Sequence, residues 1–225
     1  MEETDQPWAL FGEGVVGFLK RPPRGQRIAL PAGLRRVPGG CIFLAERFDD
    51  SPAGPFLVFS ILEPVCSGLR VGLHATTTVV SSNAARRVLR ARWGFPAEVG
   101  ALGWHSDAET RSIAWRDGDF TATAVVGGKT LPFSKTVRLF QRTDDEMAQV
   151  STKLKATVRS AQIVVEVPGA ERLGFAGGVH RGYVLSGMRM NIDKAKSKRA
   201  RDPQLERRRA TEPGLLGMTE TRAQD

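Results

Sequence analysis

Short apolar runs, separated by turn-forming residues, fill most of the chain between positions 41 and 192. Cys41–Phe48 and Pro55–Leu62 are rich in aromatic and β-branched residues, and the sequence DDSPAG between them is typical of a turn. Leu69–Val80 is a third run, with threonines on both faces. Runs of this kind predict strands that pair with their neighbours in an antiparallel sheet.

The sheet is predicted to continue after position 100. Apolar residues alternate on both sides of Asp117-Gly118, which is the pattern of a β-hairpin. Further strands are predicted at Val137–Gln141, Val150–Val158, Gln162–Val167 and Tyr183–Met190. Many strands at short spacing predict a mainly β, single-domain antiparallel barrel or sandwich over residues 1–192, closed or nearly closed.

One stretch, Ser81–Gly100, has the periodicity of a helix instead. Apolar side chains recur at helical spacing from Ala84 to Ala91, and Ser82 or Asn83 is suited to cap the first free amides. The stretch ends in an aromatic–proline corner, WGFP, at positions 93–96. We expect this short helix and its corner to form the floor or lid of any ligand site.

The segment before the first apolar run contains the fingerprint GEGVVG at positions 12–17, a spacing found in dinucleotide-binding folds. That function requires a strand before the glycines and a helix after them. Here Pro22 and Pro23 follow closely and exclude a helix. We therefore predict a turn without nucleotide binding.

Charge and composition add little to this picture before position 193. The 225 residues carry a formal net charge of +9, and 41% are hydrophobic, which is enough for a core. Residues 193–225 are rich in charged residues and are predicted to be a disordered, solubilising basic tail. We expect a cytoplasmic protein that binds neither membrane nor nucleic acid, with a tail-mediated nucleic-acid or acidic-partner adaptor as an alternative.

Candidates for metal or cofactor chemistry are few. His74, His105 and His180 have no paired ligand spacing, so no metal site is predicted, and no cofactor is expected. Cys41 and Cys66 each lie within a strand-like run, which favours free thiols over a disulfide.

The order of these features resembles the acetoacetate decarboxylase-like superfamily. The sequence LRRVP at positions 34–38 precedes the first strand, DDSPAG joins two strands, and the helix ends in Phe95-Pro96. These features cover Leu34–Gly100, and residues 101–192 match only in their general strand pattern. The resemblance implies a β-barrel around an apolar cavity, and a homo-oligomer.

In that family, the decarboxylase forms an imine between a β-keto acid and a lysine just after the aromatic–proline pair, and a second lysine follows. An adjacent cation or an apolar wall lowers the pKa of the reactive amine. Here the two lysine positions fall on Ala97 and Glu98, and a family glutamate falls on Val58. The resemblance thus implies a member that has lost decarboxylase activity.

The predicted site combines these positions. Glu98 is the candidate catalytic residue, although the favoured interpretation is that its side chain is exposed to solvent or paired with an arginine. Trp93 and Phe95 either line a pocket or plug one end of the barrel. The predicted ligand-binding residues are Phe56, Val58, Trp93, Phe95, Ala97 and Glu98. We predict a cavity for a small organic acid, keto or carboxylic, or for an apolar small molecule. The enzyme alternative is a lyase or hydrolase that acts on a small keto acid through Glu98 or a displaced lysine, for which Lys129 and Lys135 are candidates.

Overall fold

The structure is a computed structural model that describes residues 7–143, 146–169 and 173–198. Over these residues the chain forms thirteen strands and one α helix, so the mainly β fold predicted from the sequence is confirmed. The strands are β1 (Trp8–Leu19), β2 (Arg35–Arg36), β3 (Cys41–Asp50), β4 (Phe56–Ser67), β5 (Arg70–Val80), β6 (Ala97–Val99), β7 (Leu102–Ser106), β8 (Thr110–Trp115), β9 (Phe120–Val126), β10 (Leu131–Thr143), β11 (Glu146–Glu166), β12 (Gly178–Ile192) and β13 (Lys196–Lys198). The helix is α1 (Asn83–Trp93).

Seven of the strands form a ring. Their order is β10-β5-β4-β3-β1-β12-β11, and β11 pairs in turn with β10 along the whole of Leu131–Thr143. The contact between β10 and β5 is a single parallel pair, Leu139 with Leu73. The path of paired strands therefore returns to its starting strand and surrounds a central space.

The two faces of the sheet contribute side chains to two separate hydrophobic cores. On β3, Cys41, Phe43 and Ala45 are buried in an outer core that also includes residues of β8 and β9. The side chains between them point into the ring, as the two-residue period of a strand requires. The outer core is completed by β7, β8 and β9, which extend the sheet from the second half of β11.

Strand β11 is one continuous element of 21 residues. The sequence predicts two strands here, Val150–Val158 and Gln162–Val167, separated by residues 159–161. In the structure, Arg159 and Ser160 pair with Val184 and Tyr183 of β12, and the ladder is not interrupted there. The first half of β11 pairs with β10 and the second half pairs with β9.

Helix α1 begins and ends where the sequence predicts. The Ser82 side chain accepts a hydrogen bond from the Ala85 amide, and Gly94 ends the helix in the left-handed conformation at φ 68°. Trp93 is fully buried; its indole Nε1 donates to the Asp193 carbonyl at 2.9 Å, and its ring packs edge-on against Trp8. The corner that follows leads directly into β6, which pairs in parallel with β5.

The predicted turn at positions 12–17 is wrong, because these residues lie within the 12-residue strand β1. The glycines are present for close backbone approach. A Cβ atom on Gly12 would lie 1.8 Å from the Arg47 carbonyl oxygen, and one on Gly17 would overlap the Phe43 ring. The register of β1 against β12 also shifts between Gly12 and Gly14, which marks a β-bulge.

At the carboxyl end, β13 pairs with β11 at Met147–Gln149. The domain boundary predicted after Ile192 falls between the end of β12 and this short strand, and residues 199–225 of the predicted tail lie outside the described residues. Within the described ranges, no helix has the length and apolar character needed to cross a bilayer.

The close approach at Gly12 predicts a stability effect. Substitution Gly12→Ala places a methyl group against the backbone of β3, so we expect a loss of about 1–3 kcal/mol in the free energy of unfolding, as for other overpacked sites. Urea unfolding measures it. Gly103→Ala, in strand β7 with no atom within 4 Å of the added Cβ, is the matched control and should change stability little. Equal stabilities for the two variants would contradict the packing argument.

Candidate ligand cavity

The ring of strands encloses a cavity of about 530 Å³. Its wall consists of inward side chains from β1, β3, β4, β5, β10, β11 and β12, together with Leu89 of α1 and Phe95 of the corner. Most of these side chains are aliphatic or aromatic. Six lining residues carry a polar side-chain group: Trp8, Glu46, Ser60, Thr78, Thr152 and Tyr183.

Strand alternation explains why the wall is apolar. Ile42, Leu44, Glu46 and Phe48 line the cavity from β3, and Phe56, Val58, Ser60 and Leu62 line it from β4. The register places the two sets opposite each other, with Glu46 paired with Val58 and Phe48 with Phe56. Glu46 is thus the one ionisable side chain at an inward position of these two strands.

Glu46 is buried, with 4% of its surface exposed. Its Oε1 atom has no hydrogen-bond partner among the described residues. Burial raises the pKa of this carboxyl to about 8, because the charged form has lost its water without gaining a compensating charge. At pH 7 the protonated, neutral form of Glu46 therefore predominates.

Two hydroxyl groups continue from Glu46 across the wall. Ser60 Oγ donates a hydrogen bond to Thr78 Oγ1 at 3.2 Å, and the two residues are opposite each other on β4 and β5. Ser60 is two residues from Val58, the cross-strand partner of Glu46, so Ser60 is its diagonal neighbour. Glu46, Ser60 and Thr78 form a polar row on three adjacent strands.

A further hydroxyl lies on a different part of the wall. Thr152 belongs to β11, which is three strands from β3 in the ring. It is buried, and its Oγ1 has no hydrogen-bond partner among the described residues. Polar atoms in this state are uncommon in folded proteins and often mark places where a ligand or water completes the hydrogen bonding.

The cavity reaches solvent at the side formed by β1, β12 and the start of β10. Three of its lining residues there, Phe18, Tyr183 and Leu131, are exposed. The Phe18 and Tyr183 rings contact each other edge to face, with centroids 6.0 Å apart. This apolar rim provides an entrance for a ligand with little polar surface.

The six predicted ligand-binding residues occupy three kinds of position. Phe56, Val58 and Phe95 line the cavity. Trp93 and Ala97 are fully buried in the same hydrophobic core but do not line the cavity. Glu98, the predicted catalytic candidate, is exposed on β6 and is also absent from the lining.

The sequence analysis did not identify Glu46. The signal was present in the alternation of CIFLAERF, where Ile42, Leu44, Glu46 and Phe48 share one face of the strand. In the structure this glutamate lies directly opposite Val58, the position on which the glutamate of the resembled family falls. A carboxyl group is thus present on this wall, one strand away from the position that the resemblance indicated.

The described lysines lie away from the cavity. Each lysine whose side chain the structure describes is exposed, and none lines the cavity: Lys20, Lys129, Lys135, Lys153, Lys155, Lys194 and Lys196. On β11, Lys153 and Lys155 alternate with the inward residues Thr152 and Leu154, so strand geometry directs their amines outward. Lys135 on β10 differs, because it lies between the lining residues Phe133 and Val137 and opposite Leu154, but its side chain is exposed and is not part of the lining.

Glu13 is a partly buried glutamate whose carboxylate oxygens both accept hydrogen bonds, and it differs from Glu46 in this respect. Burial raises the pKa of Glu13, but hydrogen bonds from Trp104, Arg111 and Ser106 outweigh this effect and leave the pKa below its usual value. The Arg111 Nε atom is 2.7 Å from the carboxylate. Both oxygens of Glu13 are thus occupied by donors, whereas Glu46 combines burial with an unpartnered oxygen.

Comparison with solved structures identifies the fold. Acetoacetate decarboxylase from Legionella pneumophila superposes with a TM-score of 0.71 at 14% identity, covering 86% of this chain and 87% of that protein. The enduracididine biosynthesis enzyme MppR, solved with pyruvate, gives 0.64 at 15% identity over 87% and 91%. An acetoacetate decarboxylase-like enzyme from Sphingomonas wittichii gives 0.63 at 14% identity over 87% and 94%.

The fold implied by the sequence resemblance is therefore confirmed: the chain has an acetoacetate decarboxylase-like fold along nearly all of its described length. No family model matches the sequence, and no curated protein is significantly similar to it. At this level of identity, the likeness concerns the fold and leaves the chemistry of the cavity to its own residues.

The raised pKa of Glu46 predicts a pH-dependent stability. Between its ordinary value of 4.5 and about 8, the folded state holds a proton that the unfolded state has released, so stability falls as pH rises through this interval. The slope is at most about 1.4 kcal/mol per pH unit, and it vanishes above pH 8. Urea unfolding from pH 5 to 9 should show this decline in the wild type, and Glu46→Gln should lack it. Parallel pH profiles for the two proteins would contradict the assignment.

Proposed function

We propose that this chain, which has an acetoacetate decarboxylase-like fold, binds an apolar small molecule in its barrel cavity and forms no imine with it. The observation that carries the proposal is the composition of the wall: about 530 Å³ of space lined mainly by aliphatic and aromatic side chains, with no described lysine among them. A preformed apolar pocket with a few polar groups is the usual architecture of a small-molecule site.

The size of the cavity supports a ligand larger than a simple keto acid. Pockets of about 300–1,000 Å³ hold drug-sized molecules, and the volume here lies within that range. A three-carbon acid would leave most of the space unfilled. An apolar ligand that fills the space removes the largest area from water, at about 25 cal/mol for each Å².

The charges of the wall argue against an anionic ligand. The described lining contains no lysine, arginine or histidine, and its single carboxyl group is Glu46. A ligand carboxylate placed here would lose its hydration without a cation to replace it, which is costly in an apolar site. Of the two ligand classes that the sequence analysis left open, the apolar small molecule is therefore favoured over the small organic acid.

The enzyme alternative has less support from the geometry. Imine chemistry needs an amine in the cavity, and the described lysines are exposed. The candidate proton shuttle Glu98 is exposed as well, and Ala97 has no reactive group. A lyase or hydrolase would require Glu98 to enter the barrel, or the exposed amine of Lys135, whose strand position faces the ring, to turn into the cavity.

The binding proposal predicts that filling the cavity abolishes ligand uptake. N-phenyl-1-naphthylamine, an uncharged dye that fluoresces in apolar sites, should bind the wild type at one site. Val58→Trp places a large ring in the cavity and should weaken binding at least tenfold, whereas Val125→Trp, at an exposed position of β9, should leave it unchanged. Equal dye affinity in both variants, with their folds verified by circular dichroism, would overturn the proposal.

The absence of imine formation is tested by trapping. Incubation with acetoacetate and sodium borohydride should leave the mass of the protein unchanged, since no amine lines the described cavity wall. An imine-forming acetoacetate decarboxylase treated in parallel should gain the mass of the reduced adduct. A stoichiometric adduct on this chain that maps to one lysine would reject the proposal.

A further inference from the structure

We infer that the cavity is built for a cation: an apolar molecule that carries one amine or quaternary ammonium group, with Glu46 as its counter-ion and the Phe48–Phe56 pair beside it. This inference rests on the proposed function and specifies the chemical class of its ligand. It is carried by three features of the wall, namely an unpartnered buried carboxyl group, an adjacent aromatic pair and the lack of any competing cation in the described lining.

The carboxyl group is the first feature. Glu46 points into the cavity, is 4% exposed, and its Oε1 has no partner among the described residues. Folded proteins rarely leave a buried carboxyl group in this state, because the missing hydrogen bonds cost free energy. The protonated group can donate one hydrogen bond, whereas the ionised form only accepts, so a donor or a cation is what completes the ionised form.

Among the described residues that line the cavity, no cationic side chain fulfils this role. The strands adjacent to β3 are β1 and β4, and their acidic residues, Glu13 and Glu63, are ion-paired with Arg111 and Arg36 and do not line the cavity. The neighbouring Arg47 on β3 itself lies within ion-pair distance of Glu13. Burial alone accounts for the raised pKa of Glu46, which means that no nearby charge compensates it.

The aromatic pair is the second feature. Phe48 is two residues after Glu46 on the same face of β3, and its cross-strand partner is Phe56 on β4. The two ring centroids are 5.1 Å apart. Aromatic faces attract ammonium groups within about 6 Å, more strongly when water is excluded, and a cation held by Glu46 would lie next to these rings.

The other ligand chemistries fit less well. A neutral carbonyl group would take one hydrogen bond from protonated Glu46 and would leave the carboxylate form uncompensated. A ligand carboxylate would add a second negative charge to a wall that contains no described cation. A cation alone complements both the carboxylate and the rings, and its apolar body fits the remaining wall.

A pH dependence follows from this arrangement. Free Glu46 is protonated at neutral pH, so a permanently charged ligand must displace its proton on binding. Below pH 8 the affinity should therefore rise about tenfold for each pH unit, and above pH 8 it should level off. The other titratable group of the described lining is Tyr183, a phenol exposed at the rim.

The test compares three molecules of one shape. 4-Phenylbutyl-trimethylammonium, its uncharged tert-butyl isostere and the corresponding phenylalkyl carboxylate are titrated against the N-phenyl-1-naphthylamine complex at pH 6, 7, 8 and 9. We expect the cation to bind at least tenfold more tightly than either analogue at pH 9. Its affinity should fall towards pH 6, while that of the tert-butyl isostere should stay constant.

Substitution Glu46→Gln keeps the shape of the side chain and removes its charge. It should reduce cation affinity at pH 9 to that of the tert-butyl isostere and abolish the pH dependence. Glu98→Gln, the same change at an exposed glutamate, is the matched control and should bind like the wild type. Calorimetry of the wild type at pH 7 in two buffers of different ionisation enthalpy should also show about one proton released per cation bound.

The outcomes separate the two proposals. If the tert-butyl isostere displaces the dye and the cation binds no more tightly at pH 9, the cation assignment is overturned and the apolar cavity stands. If the pH dependence persists in Glu46→Gln, Glu46 is not the counter-ion. If the dye binds but the cation does not displace it at pH 9, the cation assignment is overturned. If the dye does not bind the wild type and calorimetry detects no binding of the three molecules, both proposals are rejected.

Discussion

The two-residue alternation of β1, β3 and β4 is the constraint on which this structure depends. Each of these strands lies between two apolar cores, so a side chain that leaves one core enters the other. A shift of one residue in the pairing of β3 with β4 would turn Glu46 out of the cavity and bring Phe43 into it. The cavity lining and the outer core therefore depend on the same register of β3 against β4. A change of register would alter both of them.

This alternation also explains how far the sequence predicted the structure. Strands with one clear apolar run were predicted, and so was the helix, whose Ser82 cap and terminal Gly94 are local signals. Strand β1 was not predicted, because a glycine-rich segment is typical of a turn. The glycines are needed for close packing against the backbone of β3, which is distant in sequence. Local patterns do not reveal a close approach between separate strands.

The residues of the candidate site were also predicted only in part. Phe56 and Val58 were predicted from the family resemblance and Phe95 from the aromatic–proline corner, and all three line the cavity. Glu98 was predicted as the catalytic candidate because it follows the corner directly, yet β6 pairs with β5 such that Ala97 is buried and Glu98 is exposed. Glu46 was not predicted, because only the ring of strands makes its face of β3 the lining of an enclosed space. A shared fold at 14–15% identity thus leaves the ligand chemistry to be decided by a few inward positions.

Strand β11 has a consequence for the whole domain. Its first half forms part of the ring and its second half supports the outer core, and these halves belong to one continuous strand of 21 residues whose pairing with β12 shifts register once, between Lys155 and Thr157. Separating the two cores would require this ladder to break in the middle, where Arg159 and Ser160 are paired with β12. The cavity and the outer sheet thus share one strand backbone, so we expect them to unfold together rather than separately.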